Sequence, residues 1–244
     1  MNKDRLMLCG DTHAEFSTFG HLCKRYGHEN AYIVQVGDWG MGFCKPAYYQ
    51  TELTKLNNIL TESNCHLYAI RGNHDDPAYF RETNNPFDLS NITLLKDYSE
   101  LELLGKKILC VGGAISVDRQ PRIKKDKERK KYNAEALLSW WADEKVKVLS
   151  PEEFQYGKYD IVVTHTRPGV CGGFKGSGYI NELIGADPSL QAELIEEADE
   201  MTKLWEYTKP ELWAYGHFHL SMISSHEGTT FRCLDIDEHK LYDK

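Results

Sequence analysis

The chain of 244 residues carries seven cysteines, yet no two stand at CxxC spacing. That absence removes a thiolate zinc knuckle and a redox dithiol from consideration. The odd number, scattered from Cys9 to Cys233, argues against a disulfide framework, and reduced thiols are expected. No apolar run approaches the roughly eighteen residues a membrane helix requires, so no membrane partner is expected. Met1-Asn2-Lys3-Asp4-Arg5 leads straight into a strand-like segment without the apolar core of a signal peptide, and a cytoplasmic location follows as the expectation. Basic residues are in deficit, with 29 Lys and Arg against 37 Asp and Glu, for a net charge of -8. A surface built chiefly to neutralise nucleic-acid phosphates needs the opposite balance, although a local basic patch is compatible with it. Internal repeats, linkers and low-complexity tracts are also missing, so residues 1–244 are expected to form one domain.

What is present begins with alternation. Apolar runs at 6–9, 32–36 and 67–70 are separated by helix-period stretches around 16–26 and 48–60, a βαβαβ order that implies parallel strands joined by right-handed crossovers. Residues 98–104 and 107–111 flank Gly105-Lys106 as an antiparallel hairpin that begins a second sheet. Farther on, the pattern predicts a basic solvated loop over 119–131, a helix over 133–141, a strand over 161–164 and a glycine-rich loop over 169–178. It then predicts an acidic helix over 189–207 with a core-facing stripe, and short strands at 212–215, 222–225, 230–234 and 239–242.

Five apolar runs end in polar clusters: Cys9-Gly10-Asp11-Thr12-His13, Val36-Gly37-Asp38-Trp39, Ile70-Arg71-Gly72-Asn73-His74-Asp75, Val163-Thr164-His165, and Tyr215-Gly216-His217-Phe218-His219. Parallel strands gather their carboxyl ends at one rim, so clusters distant in sequence are expected to converge. Glycine before four of the five lets the backbone turn and approach a ligand closely. Asp11 and His13, like His217 and His219, are two apart and on extended backbone project to one side. The set comprises carboxylates, imidazoles and one amide. Such mixed oxygen and nitrogen donors suit Mn²⁺, Fe or Zn²⁺ better than Ca²⁺ or Mg²⁺. Asp11, His13, Asp38, Asn73, His165, His217 and His219 are too many donors for one ion, and they fit two ions sharing a carboxylate.

The order DxH, GD, GNHD, H, GHxH over residues 11–219 resembles the calcineurin-like metallophosphoesterase superfamily. The resemblance implies an α/β fold of two mixed β-sheets packed face to face as a sandwich, flanked by helices. It places Asp11, His13, Asp38 and His219 on a first metal, and Asp38, Asn73, His165 and His217 on a second, with Asp38 as the bridge. His74 becomes the general acid or oxyanion stabiliser. Two divalent transition-metal ions, Mn²⁺ foremost, would activate a water to attack a phosphate mono- or diester.

The second motif departs from the GDxxDRG of protein phosphatases, reading Gly37-Asp38-Trp39-Gly40-Met41-Gly42-Phe43, so the usual arginine clamp and the usual aspartate partner of the catalytic histidine are both absent. Gly112-Gly113-Ala114-Ile115-Ser116-Val117-Asp118, with Arg122 and Trp140-Trp141 beyond, resembles a bacterial and phage subgroup of the superfamily. Arg122 is read either as a substrate-phosphate contact or as the partner of Asp118. Arg119 and Arg167 are expected in surface ion pairs, and Asp75 as a support for the site or as a turn cap before Pro77. One of Trp140 and Trp141 is expected in the core, Cys171 as an incidental loop thiol, and His21, His28, His66, His226 and His239 in structural or surface roles. The expected function is a cytoplasmic, dinuclear metal-dependent phosphoesterase. A nuclease or nucleotide phosphodiesterase is the alternative, favoured by the basic run. A non-catalytic scaffold is opposed by the complete donor set together with His74.

Overall fold

A computed structural model describes residues 2–172 and 178–242. β1 (Arg5–Cys9), β2 (Ala31–Gln35) and β3 (His66–Ala69) run parallel, joined by α1 (Phe16–Arg25) and α2 (Pro46–Glu62). β4 (Ile92–Leu94) extends the sheet parallel to β3, giving the order β11-β1-β2-β3-β4, with β11 (His239–Leu241) antiparallel to β1. The second sheet has the order β5-β6-β7-β8-β10-β9, formed by β5 (Ser99–Leu103), β6 (Lys106–Val111), β7 (Ile161–Thr164), β8 (Leu212–Tyr215), β9 (Met222–His226) and β10 (Thr229–Cys233). Its centre is parallel, and its two edges are antiparallel hairpins.

Strand periodicity sorts the side chains into three apolar layers. Leu6, Leu8, Val34, Val36, Ile108, Cys110, Ile161 and Val163 fill the space between the sheets. Their alternates Met7, Cys9 and Ile33 face α1 and α2. Leu109, Val111, Val162 and Trp213 lie instead against Met201, Leu204 and Trp205 of α5 (Leu190–Thr208). Strands buried on both faces must read as continuous apolar runs, which is why the runs stand out in the sequence. The architecture is thus the expected α/β sandwich of two mixed sheets with helices outside.

Two elements differ from expectation. Residues 119–131 are helical, as α3 (Arg119–Tyr132), and residues 133–141 are not. Asp126, buried on α3, accepts from the Ser139 N–H at 2.8 Å, the Ser139 hydroxyl at 2.7 Å and the Trp140 N–H at 3.2 Å. One carboxylate thereby satisfies backbone donors that would otherwise have demanded a helix. β4 is three residues long and α4 (Gly178–Ala186) nine, so neither offered enough periods to read. The expected glycine-rich loop over 169–178 lies partly outside the described residues. Among the described residues no helix is long and apolar enough to cross a membrane.

Candidate metal centre

The carboxyl ends of β1, β2, β3, β7 and β8 meet at one rim, and the seven expected donors meet there. His13 Nε2 lies 3.1 Å from His219 Nε2, 3.9 Å from Asp11 Oδ2 and 3.8 Å from Asp38 Oδ2, while His219 Nε2 lies 3.3 Å from Asp11 Oδ2. This is one group of four. Asp38 Oδ1 lies 3.1 Å from His165 Nε2; Asn73 Oδ1 lies 3.0 Å from that same nitrogen and 2.8 Å from His217 Nδ1. This is the second group, and the two oxygens of Asp38 face one group each.

The backbone that achieves this is not extended. His13, Asp38, His217 and His219 have φ of 49°, 54°, 70° and 50°. Spacing of two thus picks out the right residues through a local geometry that the chain does not adopt. Left-handed turns, strained for residues with a Cβ, throw the side chains inward. The glycines serve a related need. A Cβ at Gly72 would sit 2.1 Å from Asp38 Oδ1, and one at Gly216 would sit 2.0 Å from Asp11 Oδ1. They make room for a carboxylate at the end of another strand, β2 for Gly72 and β1 of the opposite sheet for Gly216.

The donor chemistry fits a cation. His165 Nδ1 is 2.9 Å from the Val36 carbonyl, an acceptor, so Nδ1 carries hydrogen. In the neutral ring, Nε2 is then a lone pair facing two more acceptors, Asp38 Oδ1 and Asn73 Oδ1, in a fully buried position. Such a cluster needs either a proton or a metal ion at its centre. Burial disfavours charge on His165, but the Asp38 carboxylate outweighs it and holds the ring up to about 9. Burial likewise opposes ionisation of Asp38, and the surrounding imidazoles, His165 first, nevertheless keep it well below the usual carboxylate range. Burial and then His165 push His217 down to about 3.

Residues around the donors fix their orientation. The Ser116 hydroxyl donates to Glu144 Oε2 at 2.6 Å and accepts from Asn73 Nδ2 at 3.0 Å and Arg122 Nη1 at 2.7 Å. With its single hydrogen committed to a carboxylate, Ser116 can only accept from Asn73, which turns Asn73 Oδ1 toward the rim. Asp75 accepts from the N–H groups of Trp39, Gly40, Met41 and Gly72 at 2.7–3.0 Å, tying the Asp38 loop to the Asn73 loop, while the turn cap before Pro77 is Asp76. Of the two readings of Asp75, the support for the site is the observed one.

Arg122 is buried, with Nη2 3.3 Å from the Asn73 carbonyl and Nη1 3.4 Å from Asp118. It pairs with Asp118 as one of its two readings had it, inside a larger network. Arg119 is a correction: it is buried, not superficial, and holds Asp187 at 2.6 Å and Glu193 at 2.8 Å. Arg167 is bonded to the Pro168 carbonyl, Trp141 is buried, and the thiol of Cys171 is half-buried. The Ser116–Glu144 pair was not apparent from the sequence. Ser116 lies inside the Gly112–Asp118 string, but nothing marks Glu144, whose segment is irregular.

His74 stands at the edge of the rim, its backbone N–H donating to Asp38 Oδ1 at 2.7 Å and its ring 5.0 Å from that of His13 and 5.7 Å from that of Phe43. Among the described residues no carboxylate hydrogen-bonds the ring, consistent with the aspartate missing from the second motif. Burial, only partly offset by Asp38, pulls it down to about 4.

Comparison with known proteins adds the lineage. A structure from Thermus thermophilus shares the fold, with a TM-score of 0.50 at 13% identity over 98% of this chain and 99% of that one. A novel archaeal phosphodiesterase gives 0.40 at 9% identity over 98% and 99%. Phosphopantetheinyl hydrolase of Mycobacterium tuberculosis gives 0.42 at 12% over 96% and 91%. No curated protein sequence matches. The family model of calcineurin-like phosphoesterases matches residues 4–221, a span that contains all seven rim donors and His74, and the chain belongs to that family.

Proposed function

We propose that the rim is a two-metal centre and that the chain, acting as one domain, is a hydrolase of phosphate mono- or diesters. The observation that carries this reading is the buried meeting of His165 Nε2, Asp38 Oδ1 and Asn73 Oδ1, three acceptors that a cation reconciles. Asp11, His13, Asp38 and His219 would hold one ion, and Asp38, Asn73, His165 and His217 the other, with Mn²⁺ the first expectation and Fe or Zn²⁺ compatible with the same donors. Bound ions of this kind acidify a water nucleophile and neutralise phosphoryl oxygens.

The chain's own groups do the rest. The left-handed turns hold the donors rigidly, so no reorganisation is needed as charge develops. His74, anchored through its N–H to Asp38, presents its ring beside His13. In the free protein it is neutral, and a phosphate anion alongside raises its proton affinity, suiting it to protonate the leaving oxygen. Arg122 acts here through Asn73 and Ser116 and is a positioning residue. Elemental analysis with hydrolysis of p-nitrophenyl and bis-p-nitrophenyl phosphate tests the proposal. Wild type should hold up to two metals and Asp38→Asn should lose nearly all activity, whereas hydrolysis by thoroughly metal-free protein would falsify it.

A nuclease or nucleotide phosphodiesterase is the second reading, favoured by α3. Its first turns pack Arg122 against the rim, while Lys124, Lys125, Lys127, Lys130 and Lys131 lie along it as a basic run. Such a field would steer a polyanion.

A further inference from the structure

A second cluster of ligating side chains lies under α1, in the helix-facing apolar layer of the first sheet. Cys23, His28 and His239 bring one ligand atom each within 4.8 Å of the others. Cys23 comes from the last turns of α1 and His28 from the turn leading into β2. His239 comes from β11, opposite Cys9 in the ladder. The two imidazoles stack with centroids 5.0 Å apart, and His28 Nε2 meets His239 Nδ1 at 2.7 Å. That contact leaves His239 Nε2 buried with no hydrogen-bond partner among the described residues. An unsatisfied buried polar atom is costly, a reason to look for what it meets in the loaded protein. The rim shows the same signature, two imidazole nitrogens facing one another at 3.1 Å beside further donors.

We propose that Cys23, His28 and His239 form a separate site for a borderline-soft divalent ion of the zinc class. One sulfur and two imidazoles with a fourth position open to water are a zinc donor set, whereas the rim offers only oxygen and nitrogen. Both histidines stand ready as ligands, because burial holds them neutral, His239 down to about 3. Burial pushes the Cys23 thiol up to about 12, so it is protonated until an ion arrives. Binding then breaks the S–H bond, forms the metal–sulfur bond and releases the proton to solvent. A cavity of about 260 Å³ lined by Cys23, Lys24, Gly27, His28, Glu62 and Ser63 gives the ion, the water and the proton their path. An ion there would clamp β11 to α1, elements from opposite ends of the chain that meet in the same layer.

Cobalt(II) titration of the chelated, reduced full chain tests this independently of the rim, since a near-ultraviolet thiolate-to-cobalt charge-transfer band requires sulfur and the rim has none. Wild type should develop the band, and a Cys44→Ser/Cys171→Ser variant, which removes the two more accessible thiols, should retain it. Cys23→Ser and His239→Gln should each lose it, with circular dichroism of the metal-free variants checking the fold; should Cys23→Ser not fold, His239→Gln carries the comparison. A silent wild type, a band that survives the His239→Gln or Cys23→Ser substitution, or one lost with Cys44 and Cys171 overturns the site. Rim-dependent hydrolysis is read separately, so loss of one reading leaves the other standing.

Discussion

Glu197 offers a quantitative test of how this fold handles buried charge. It sits on α5, 8% exposed, and one carboxyl oxygen has no hydrogen-bond partner among the described residues. Burial raises it from 4.5 to about 8, against weaker pulls from Thr166, the Ile115 N–H and His165. A carboxyl that binds its proton more tightly in the folded state contributes its stability fully below the unfolded value. It loses that contribution as pH rises through the folded one, so the loss runs from pH 4.5 to about 8. At about 1.4 kcal/mol for each pH unit this amounts to about 5 kcal/mol, a ceiling that water entry lowers. Glu197→Gln keeps the volume and one acceptor but cannot ionise. Urea unfolding of both proteins in chelator at about pH 4.5, 6.5 and 8.5 isolates the effect, because titrating groups common to both cancel in the difference. The variant should gain on the wild type steadily across that range, by a few kcal/mol. A difference that stays flat within about 1 kcal/mol would mean that Glu197 is solvated or paired in the folded chain, and burial would then not govern its proton.

Ser116→Ala should free the Asn73 amide to turn, lowering metal affinity and turnover by about 10–100-fold, with metal content measured alongside kcat; unchanged metal binding would remove Ser116 from the orienting role. His74→Asn should lower kcat by roughly 10²–10⁴ while metal content stays intact, and the defect should shrink with good leaving groups. Equal defects for good and poor leaving groups would assign His74 another role. Neutralising Lys124, Lys125 and Lys127 together should raise KM for nucleotides with little effect on p-nitrophenyl phosphate. Added salt should mimic the change, because exposed charges are screened within about 10 Å at 0.1 M. Matching KM values at low salt would leave α3 a solvated helix and weaken the nuclease reading.

Asp11, Asp38, Asn73 and His165 were legible because each follows a strand buried in the sandwich, and such a strand seldom ends abruptly in polar groups unless they have a ligand to meet. α3 was not legible. Its polar, basic composition shows almost no apolar period, and what holds it is Asp126 binding Ser139 and Trp140, together with Arg119 paired with Asp187 and Glu193, partners 68 and 74 residues away. Cys23 was expected only as one of the reduced thiols, and His28 and His239 in structural or surface roles, since only the β1–β11 pairing brings the third beside the other two.

The sequence by itself determined most of the strands, the parallel order of β1, β2 and β3 and the chemical kind of the rim, because burial periodicity and residue type are local properties. Tertiary structure alone decided how the donors aim: left-handed turns at His13, His217 and His219 replace the extended backbone that spacing suggested, and another turns Asp38. It also decided which buried groups orient them, because Asn73 meets Ser116, and Ser116 meets Glu144, only once three separate segments have packed.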